Sequence, residues 1–311
     1  MSLAGPRPPR PIPLKDRSSF AWVSRGRIDV EDGAFVVADD AGVRTQIPVG
    51  AVACVFAEPG TAVTHAAIAL AARVGTLFVW IGEGGVRLYA AGQPGGARSE
   101  RILHQARLAL DENLRLRVVR QMYALRFGEE PPGRRSVDQL RGLEAMRVKE
   151  TYRLLAARHG VKWHGRSYDV RKGGAAGLGN DLTNVCISAA NACLYGLCEA
   201  AIIAAGYAPA VGFLHTGKAR SFVFDIGDIV KFDTVTPAAF AVAAKQPSEP
   251  ERETRIACRD AFRRTGLLRR LVPLIEEVLT LDGVTPPPVP EGALPIAFED
   301  EAGVGDAGHR G

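Results

Sequence analysis

The spacing of apolar residues changes once along the chain. From Ser18 to about Tyr89 the apolar positions fall in short runs rich in β-branched and aromatic residues, at 20–23, 27–30, 34–38, 44–49, 51–56, 76–80 and 86–89. Runs of that length with a period near two predict strands. Asp32-Gly33 and the stretch Asp39-Asp40-Ala41-Gly42 supply turn chemistry between them, so the runs read as a small antiparallel sheet. One helix interrupts them: Thr64 is placed to cap a segment running to Val74, with His65 in its first turn as a surface or capping residue. The turn-forming stretch 91–96 then marks a domain boundary, because beyond it the apolar period lengthens to about 3.6.

Beyond Arg98 the pattern is helical. Residues 99–127 carry apolar positions at helical spacing with arginines interleaved, and Pro131, Pro132 and Gly133 break the run. Ser136 and Gln139 stand at capping-box spacing and open a helix expected to stop at Gly160. A glycine-rich connector spans 161–180. The next segment, 185–214, holds a single charge, Glu199, over a length that could cross a bilayer. Its wealth of Ala, Gly, Cys, Ser and Asn, interrupted by Gly206 and Pro209, predicts instead a central buried helix over about 181–205 and no membrane span. Ser248 and Glu251 repeat the capping-box spacing before a helix whose arginines, Arg252, Arg255, Arg259 and Arg263, share a face. Gly266 and Pro273 segment the chain after that helix, and the helical pattern ends near Thr280. The fold class is therefore α+β and multidomain: a small N-terminal antiparallel β-domain (1–95), an all-α domain (96–281), and an acidic, proline-rich tail (282–311) expected to be disordered.

Charge sharpens this division. The net charge of +5 is unevenly spread, because the tail from Leu281 carries six acids against one base, which leaves the body at +10. A basic body calls for a polyanionic partner, most often nucleic acid. The five cysteines form no CxxC pair, and with no signal peptide they read as reduced thiols of a cytoplasmic protein rather than as disulfides or a zinc site. The turn at Gly82, Gly84 and Gly85 lacks the helix-opening fingerprint of a nucleotide site.

Candidate chemistry gathers between His215 and Phe232. Asp225 and Asp228 are spaced i, i+3, so a helix starting near Asp225 turns both carboxylates to one face, and an extended run over 221–224 would lead back to His215. An imidazole with two or more carboxylates suits Mg²⁺ or Mn²⁺. Lys218 and Arg220 between them favour an anionic substrate. The same spacing also admits a structural reading, with Asp225 an N-cap, Asp228 a solvated first-turn acid and His215 a packed loop residue. Glu144 is the odd residue of its helix. It lies in the apolar stripe between Leu140 and Val148, where a carboxylate needs a cation, a hydrogen-bond partner or a raised pKa, and Arg141 or Arg147 could supply an internal ion pair.

Four long motifs, RGLEAMRVKETY, NVCISAANACLYG, GYAPAVGFLHTGK and SFVFDIGDIVKFD, resemble in sequence and order the spacer integrases of CRISPR adaptation, the family of the first CRISPR-associated protein. The stretches IPLKDR, RTQIPVG, EPGTAVTHAA and YAAGQPGGARSE are similar to its subtype I-E form. The resemblance covers about residues 11–280. It implies an N-terminal β-domain used in dimerisation, a helical catalytic domain and a metal-dependent DNA endonuclease and integrase of antiviral defence. Glu144, His215 and Asp228 are then expected to hold one Mg²⁺ or Mn²⁺, with Asp225 a further acidic catalytic position. It also implies homodimers that flank a dimer of the second CRISPR-associated protein in a hetero-hexamer. That complex carries double-stranded prespacer DNA, and a 3′-OH of this DNA attacks a phosphodiester of the leader-repeat. The expected DNA-binding residues are Lys218, Arg220, Arg87, Tyr195 and the stripe Arg252, Arg255 and Arg259. Arg25 stands where better-known subtype I-E members carry a stacking tyrosine, and Arg25 or nearby Trp22 is expected to replace it. A non-catalytic DNA-binding scaffold and a general metal-dependent nuclease using water are the alternatives.

Overall fold

The computed structural model describes residues 18–39, 41–48, 52–81, 88–92, 99–166 and 182–287. The first part of the chain forms strands β1 (Ser18–Val23), β2 (Gly26–Glu31), β3 (Ala34–Ala38), β4 (Arg44–Ile47), β5 (Val52–Ala57) and β6 (Thr61–Val63), helix α1 (His65–Val74), and strands β7 (Leu77–Ile81) and β8 (Leu88–Gly92). Helices come after them: α2 (Ser99–Leu110), α3 (Glu112–Phe127), α4 (Val137–His159), α5 (Leu182–Ala204), α6 (Ser221–Val230), α7 (Val235–Ala244), α8 (Pro250–Thr265) and α9 (Leu267–Leu279). A β-rich region succeeded by a helical one is the fold class expected from the periodicity.

Pairing within the β-region differs from a single antiparallel sheet. Two four-stranded sheets form, in the orders β1-β5-β7-β8 and β4-β3-β2-β6. The strands β2, β3 and β4 pair antiparallel through the predicted turns. By contrast β1-β5, β5-β7 and β2-β6 are parallel. Period-two alternation says which face a residue takes and nothing about the direction of its neighbour, and the short strand β6 carries too few residues to show a period.

The first sheet has two buried faces. Along β7, Phe78 and Trp80 turn toward α1 with Val52, Val55, Leu70 and Val74, while Leu77, Val79 and Ile81 join the core of the helical region. A mostly parallel sheet covered on both sides is the arrangement in which near-continuous apolar strands are favoured. Phe56 on β5 presses against α5 at Gly196, where a Cβ would lie 2.2 Å from the ring. The sheet is therefore fitted directly onto the central helix. Helix α5 is long and apolar enough to cross a membrane, but most of it is buried inside the protein, as expected of a core helix.

Several helix ends obey the expected local chemistry. The Thr64 side chain accepts from Ala67 N, Ser136 and Gln139 form a reciprocal capping box, and Gly75 and Gly160 close α1 and α4 in the left-handed conformation. Others do not. The run 99–127 is broken at Asp111, whose carboxylate accepts from Asn113 N and Leu114 N and starts α3. Helix α8 begins at Pro250 behind Glu249 with no side-chain cap, so the Ser248–Glu251 spacing forms no capping box. Packing also extends past Thr280: Arg117 Nη2 donates to Asp282 O at 2.9 Å and Arg101 donates to Pro287 O. The rest of the tail, the leader, most of the 161–180 connector and most of the 91–96 boundary lie outside the described residues.

Candidate functional site

The stretch expected to run extended over 221–224 is helical instead. Ser221 Oγ accepts from Lys218 N (3.1 Å) and donates to Lys218 O (2.8 Å), which starts α6 one turn earlier than the acid spacing suggested. Phe222, Val223, Ile226, Ile229 and Val230 are buried, so the helix is held by packing although Phe and Val favour strands. Asp225 is thus in mid-helix and is no N-cap.

Asp225 organises the loop before the helix. Its Oδ2 accepts from Phe213 N (2.6 Å) and Leu214 N (3.3 Å), and its Oδ1 from His215 N (2.9 Å) and the His215 ring at Nδ1 (2.8 Å). An ionised carboxylate only accepts, so a neutral His215 ring carries its proton on Nδ1 and leaves the lone pair on Nε2. The loop closes this tightly because Gly212 lacks a Cβ, which would stand 2.3 Å from His215 O. Burial pushes the His215 pKa down, but the bond and charge of Asp225, with the charges of Asp228 and Glu144, outweigh it and hold the pKa up.

Asp228 lies one turn further. Its Oδ1 takes Lys231 Nζ at 2.9 Å and the Tyr195 hydroxyl at 3.4 Å, while its Oδ2 faces Arg126 Nη1 at 3.7 Å. Tyr195 reaches it across Gly227, where a Cβ would lie 2.7 Å from the ring. Burial raises the Asp228 pKa, yet the Lys231 and Arg126 charges prevail and hold it below the usual carboxylate value. Glu144 enters from α4 and bonds the same Arg126 Nη1. For Glu144 burial is the larger influence, and with the Asp228 charge it exceeds the pull of Arg126, so this carboxyl is raised. Arg126, on the last turn of α3, therefore meets the need of Glu144 for a cation. Of the cations read from its own helix, Arg147 pairs with Glu129, and Arg141 donates to Leu214 O with Asp138 3.7 Å away.

Glu144, Asp225, Asp228 and Arg126 line one narrow cleft, backed by Val119, Met122, Leu140 and Ile229. Among the described residues, no three His, Cys, Asp or Glu side chains close tightly enough on one point to hold an ion as they stand. In the cleft a guanidinium, that of Arg126, lies between the Glu144 and Asp228 carboxylates. Its positive charge is the stand-in that fits the donor set to a cation, and carboxylate oxygens with an imidazole nitrogen are donors suited to a hard or borderline divalent ion.

The DNA-binding candidates separate into two groups. Lys218 is exposed, with Nζ 5.7 Å from the centre of the Phe224 ring that His215 also meets, and Arg25 and Arg252 are exposed. Arg220 is mostly buried in an ion pair with Glu199 at 2.9 Å, so its charge is spent inside the fold. Arg255 lies over the Trp22 ring at 4.4 Å and 3.7 Å from Glu58, and Trp22 itself packs on Phe56 at 4.8 Å. In the chain by itself Trp22 is thus packed and Arg255 bridges α8 to the β-region. Arg259 approaches Asp260 at 3.5 Å. Arg87 lies outside the described residues. Arg126 was missed by sequence reasoning. The available signal was the unmet charge of Glu144, together with a preceding helix crowded with arginines.

These features define a class first: an α+β protein whose helical region buries an imidazole–carboxylate centre beside exposed basic residues. Within that class the chain belongs to the family described as CRISPR associated protein Cas1, which matches residues 22–131 and 126–256. It is 60% identical over 304 residues to the CRISPR-associated endonuclease Cas1 of Geobacter sulfurreducens, covering 98% of each chain. It is 60% identical over 306 residues to the protein of the same name from Escherichia coli K12, covering 97% of this chain and 98% of that one. This second match supports the subtype I-E resemblance. The solved structure described as a TtCas1-DNA complex superposes with a TM-score of 0.74 at 39% identity, covering 85% of this chain and 92% of that chain.

Proposed function

We propose that the protein is a metal-dependent DNA endonuclease and integrase of CRISPR adaptation. The observation that carries this reading is that Glu144, Asp225 and Asp228 line one cleft, with His215 held against it by Asp225 and within the electrostatic reach of the other two carboxylates. Relatives named as endonucleases and a similar protein solved with DNA support the substrate and the reaction class.

Glu144, His215 and Asp228 would hold one Mg²⁺ or Mn²⁺, which would supply Lewis-acid polarisation of a phosphate and lower the pKa of an attacking hydroxyl. The chain's own groups do the positioning. Asp225 fixes the imidazole tautomer and orientation, the role of an outer partner to a ligating histidine. Tyr195 and Lys231 occupy Asp228 Oδ1 and leave Oδ2 directed into the cleft. Lys218 at the exposed rim meets the DNA backbone. No serine or cysteine nucleophile is required, because the attacking 3′-OH belongs to the prespacer and the protein contributes orientation and charge stabilisation. Transesterification forms one phosphodiester as another breaks and so needs no energy source. The working assembly is a cytoplasmic hetero-hexamer of two such homodimers with a dimer of the second CRISPR-associated protein.

The test is strand joining on a supercoiled plasmid carrying a leader-repeat, with labelled prespacer, this protein and its partner, in Mg²⁺ or Mn²⁺ and in EDTA. Metal-dependent label on the plasmid is expected. Cleavage without joining would leave a hydrolytic nuclease, and DNA binding with neither would leave a scaffold.

A further inference from the structure

The Arg126 guanidinium is bound in an unusual way. Its side chain is only 5% exposed, yet Nη1 alone carries its polar contacts, to Glu144 Oε1 and Asp228 Oδ2, while Nε and Nη2 are buried without a hydrogen-bond partner. The guanidinium also lies near the rings of Phe127 (5.3 Å to the ring centre) and Phe232 (5.6 Å). A structural arginine normally spreads its donors over several acceptors. This one concentrates on a single point, the point where two carboxylate oxygens from α4 and α6 converge.

We propose that Arg126 is an internal counter-cation that occupies the divalent ion's place between Glu144 and Asp228 and is displaced when the ion binds. The inference rests on the metal-dependent reading of this site. Charge balance supports exchange over coexistence. Glu144, Asp225 and Asp228 face two fixed cations, Arg126 and Lys231, leaving one negative charge when His215 is neutral. Adding a divalent ion with Arg126 in place overshoots to one positive charge, whereas exchanging it for Arg126 restores neutrality. Lys231 is the weaker candidate for displacement, because it pairs with Asp228 Oδ1 alone, whereas Arg126 pairs with both carboxylates. The bond that Nη1 makes to Glu144 also explains why no three ligands close on one point among the described residues: the carboxylates are held around a planar, larger cation. The consequence is a site that stays folded without its ion and binds that ion more weakly than its ligand set alone would allow.

The experiment uses the full-length protein and Mn²⁺ as probe, with bound and free Mn²⁺ counted by electron paramagnetic resonance and thermal midpoints recorded in EDTA and in Mn²⁺. Arg126→Gln is expected to bind Mn²⁺ at least tenfold more tightly than the unaltered protein, to melt lower in EDTA, and to recover most of that loss in Mn²⁺. Unchanged or weaker Mn²⁺ binding by the folded variant overturns the inference while leaving the metal reading standing, provided Asp228→Ala removes the binding. Absence of Mn²⁺ binding in both proteins overturns both. Should Arg126→Gln not fold, the guanidinium is followed directly by nuclear magnetic resonance of arginine-labelled protein, with the Arg126 signal assigned from Arg126→Lys. Its slowly exchanging side-chain signal in EDTA is expected to turn solvent-averaged on saturation with Mg²⁺; a signal that stays protected contradicts displacement.

Discussion

Two buried arginines of the helical region show how differently the same residue is used. Arg101, on α2, donates to Pro287 O, to Glu276 on α9 and to the Tyr207 hydroxyl at 2.7 Å, and its guanidinium lies 4.5 Å from the Tyr207 ring centre. It ties together three separate stretches of chain through both terminal nitrogens. Arg126 makes its polar contacts through one nitrogen, and both acceptors are carboxylates of the proposed metal site. The first arginine is fastened; the second is a charge parked in a site. Burial is nearly equal, so the acceptor pattern, and not depth, separates a structural cation from one that can be exchanged.

The largest effect is therefore expected at the structural pair. Arg101→Met leaves Glu276 and the Tyr207 hydroxyl without their cation and should cost about 3–5 kcal/mol, the range for breaking a buried ion pair from one side. Chemical denaturation measures it, and Mn²⁺ should return none of the loss, in contrast to Arg126→Gln. Asp228→Ala should lower strand joining by about 10²–10³-fold, the scale of losing one preorganised charge-stabilising group. Prespacer binding, measured by gel shift, should stay nearly intact; lost binding would make Asp228 structural. Asp225→Asn keeps the shape but weakens the hold on His215, and Mn²⁺ affinity should fall by about 10–100-fold, as for outer partners of ligating histidines. The smallest effect belongs to the exposed rim: Lys218→Ala should reduce the salt slope of DNA binding by about one phosphate contact. Arg220→Ala, despite lying two residues away, should leave that slope unchanged and lower the thermal midpoint, because its charge is spent on buried Glu199.

Legibility in the sequence depends on the range of the interactions. Thr64, the Ser136–Gln139 box and Gly160 act within four residues, so their spacing declared the helix ends they make. The two periods separated the strand-forming stretch from the helical one because each sheet face and helix stripe must meet a core. Strand direction was not legible: the parallel pairs β1-β5 and β5-β7 join segments more than twenty residues apart. The start of α6 was misread because Ser221–Phe224 favours a strand locally, and burial of Phe222 and Val223 overrides that preference. At the site, the unmet charge of Glu144 was plain, but its partner lay eighteen residues back on another helix. The surroundings of Arg255 on α8 were not legible for the same reason: Glu58 and Trp22, which take it, come from the β-region, while Arg252 and Arg263 on the same helix are exposed.

The most direct test of the proposed centre is diffraction from crystals of the protein grown with Mn²⁺, with data collected at the manganese edge. One anomalous peak is expected, bounded by Glu144, Asp228 and His215 Nε2, with the Arg126 guanidinium withdrawn from between the carboxylates. A peak elsewhere, or none while the same Mn²⁺-loaded preparation joins DNA strands, would contradict it.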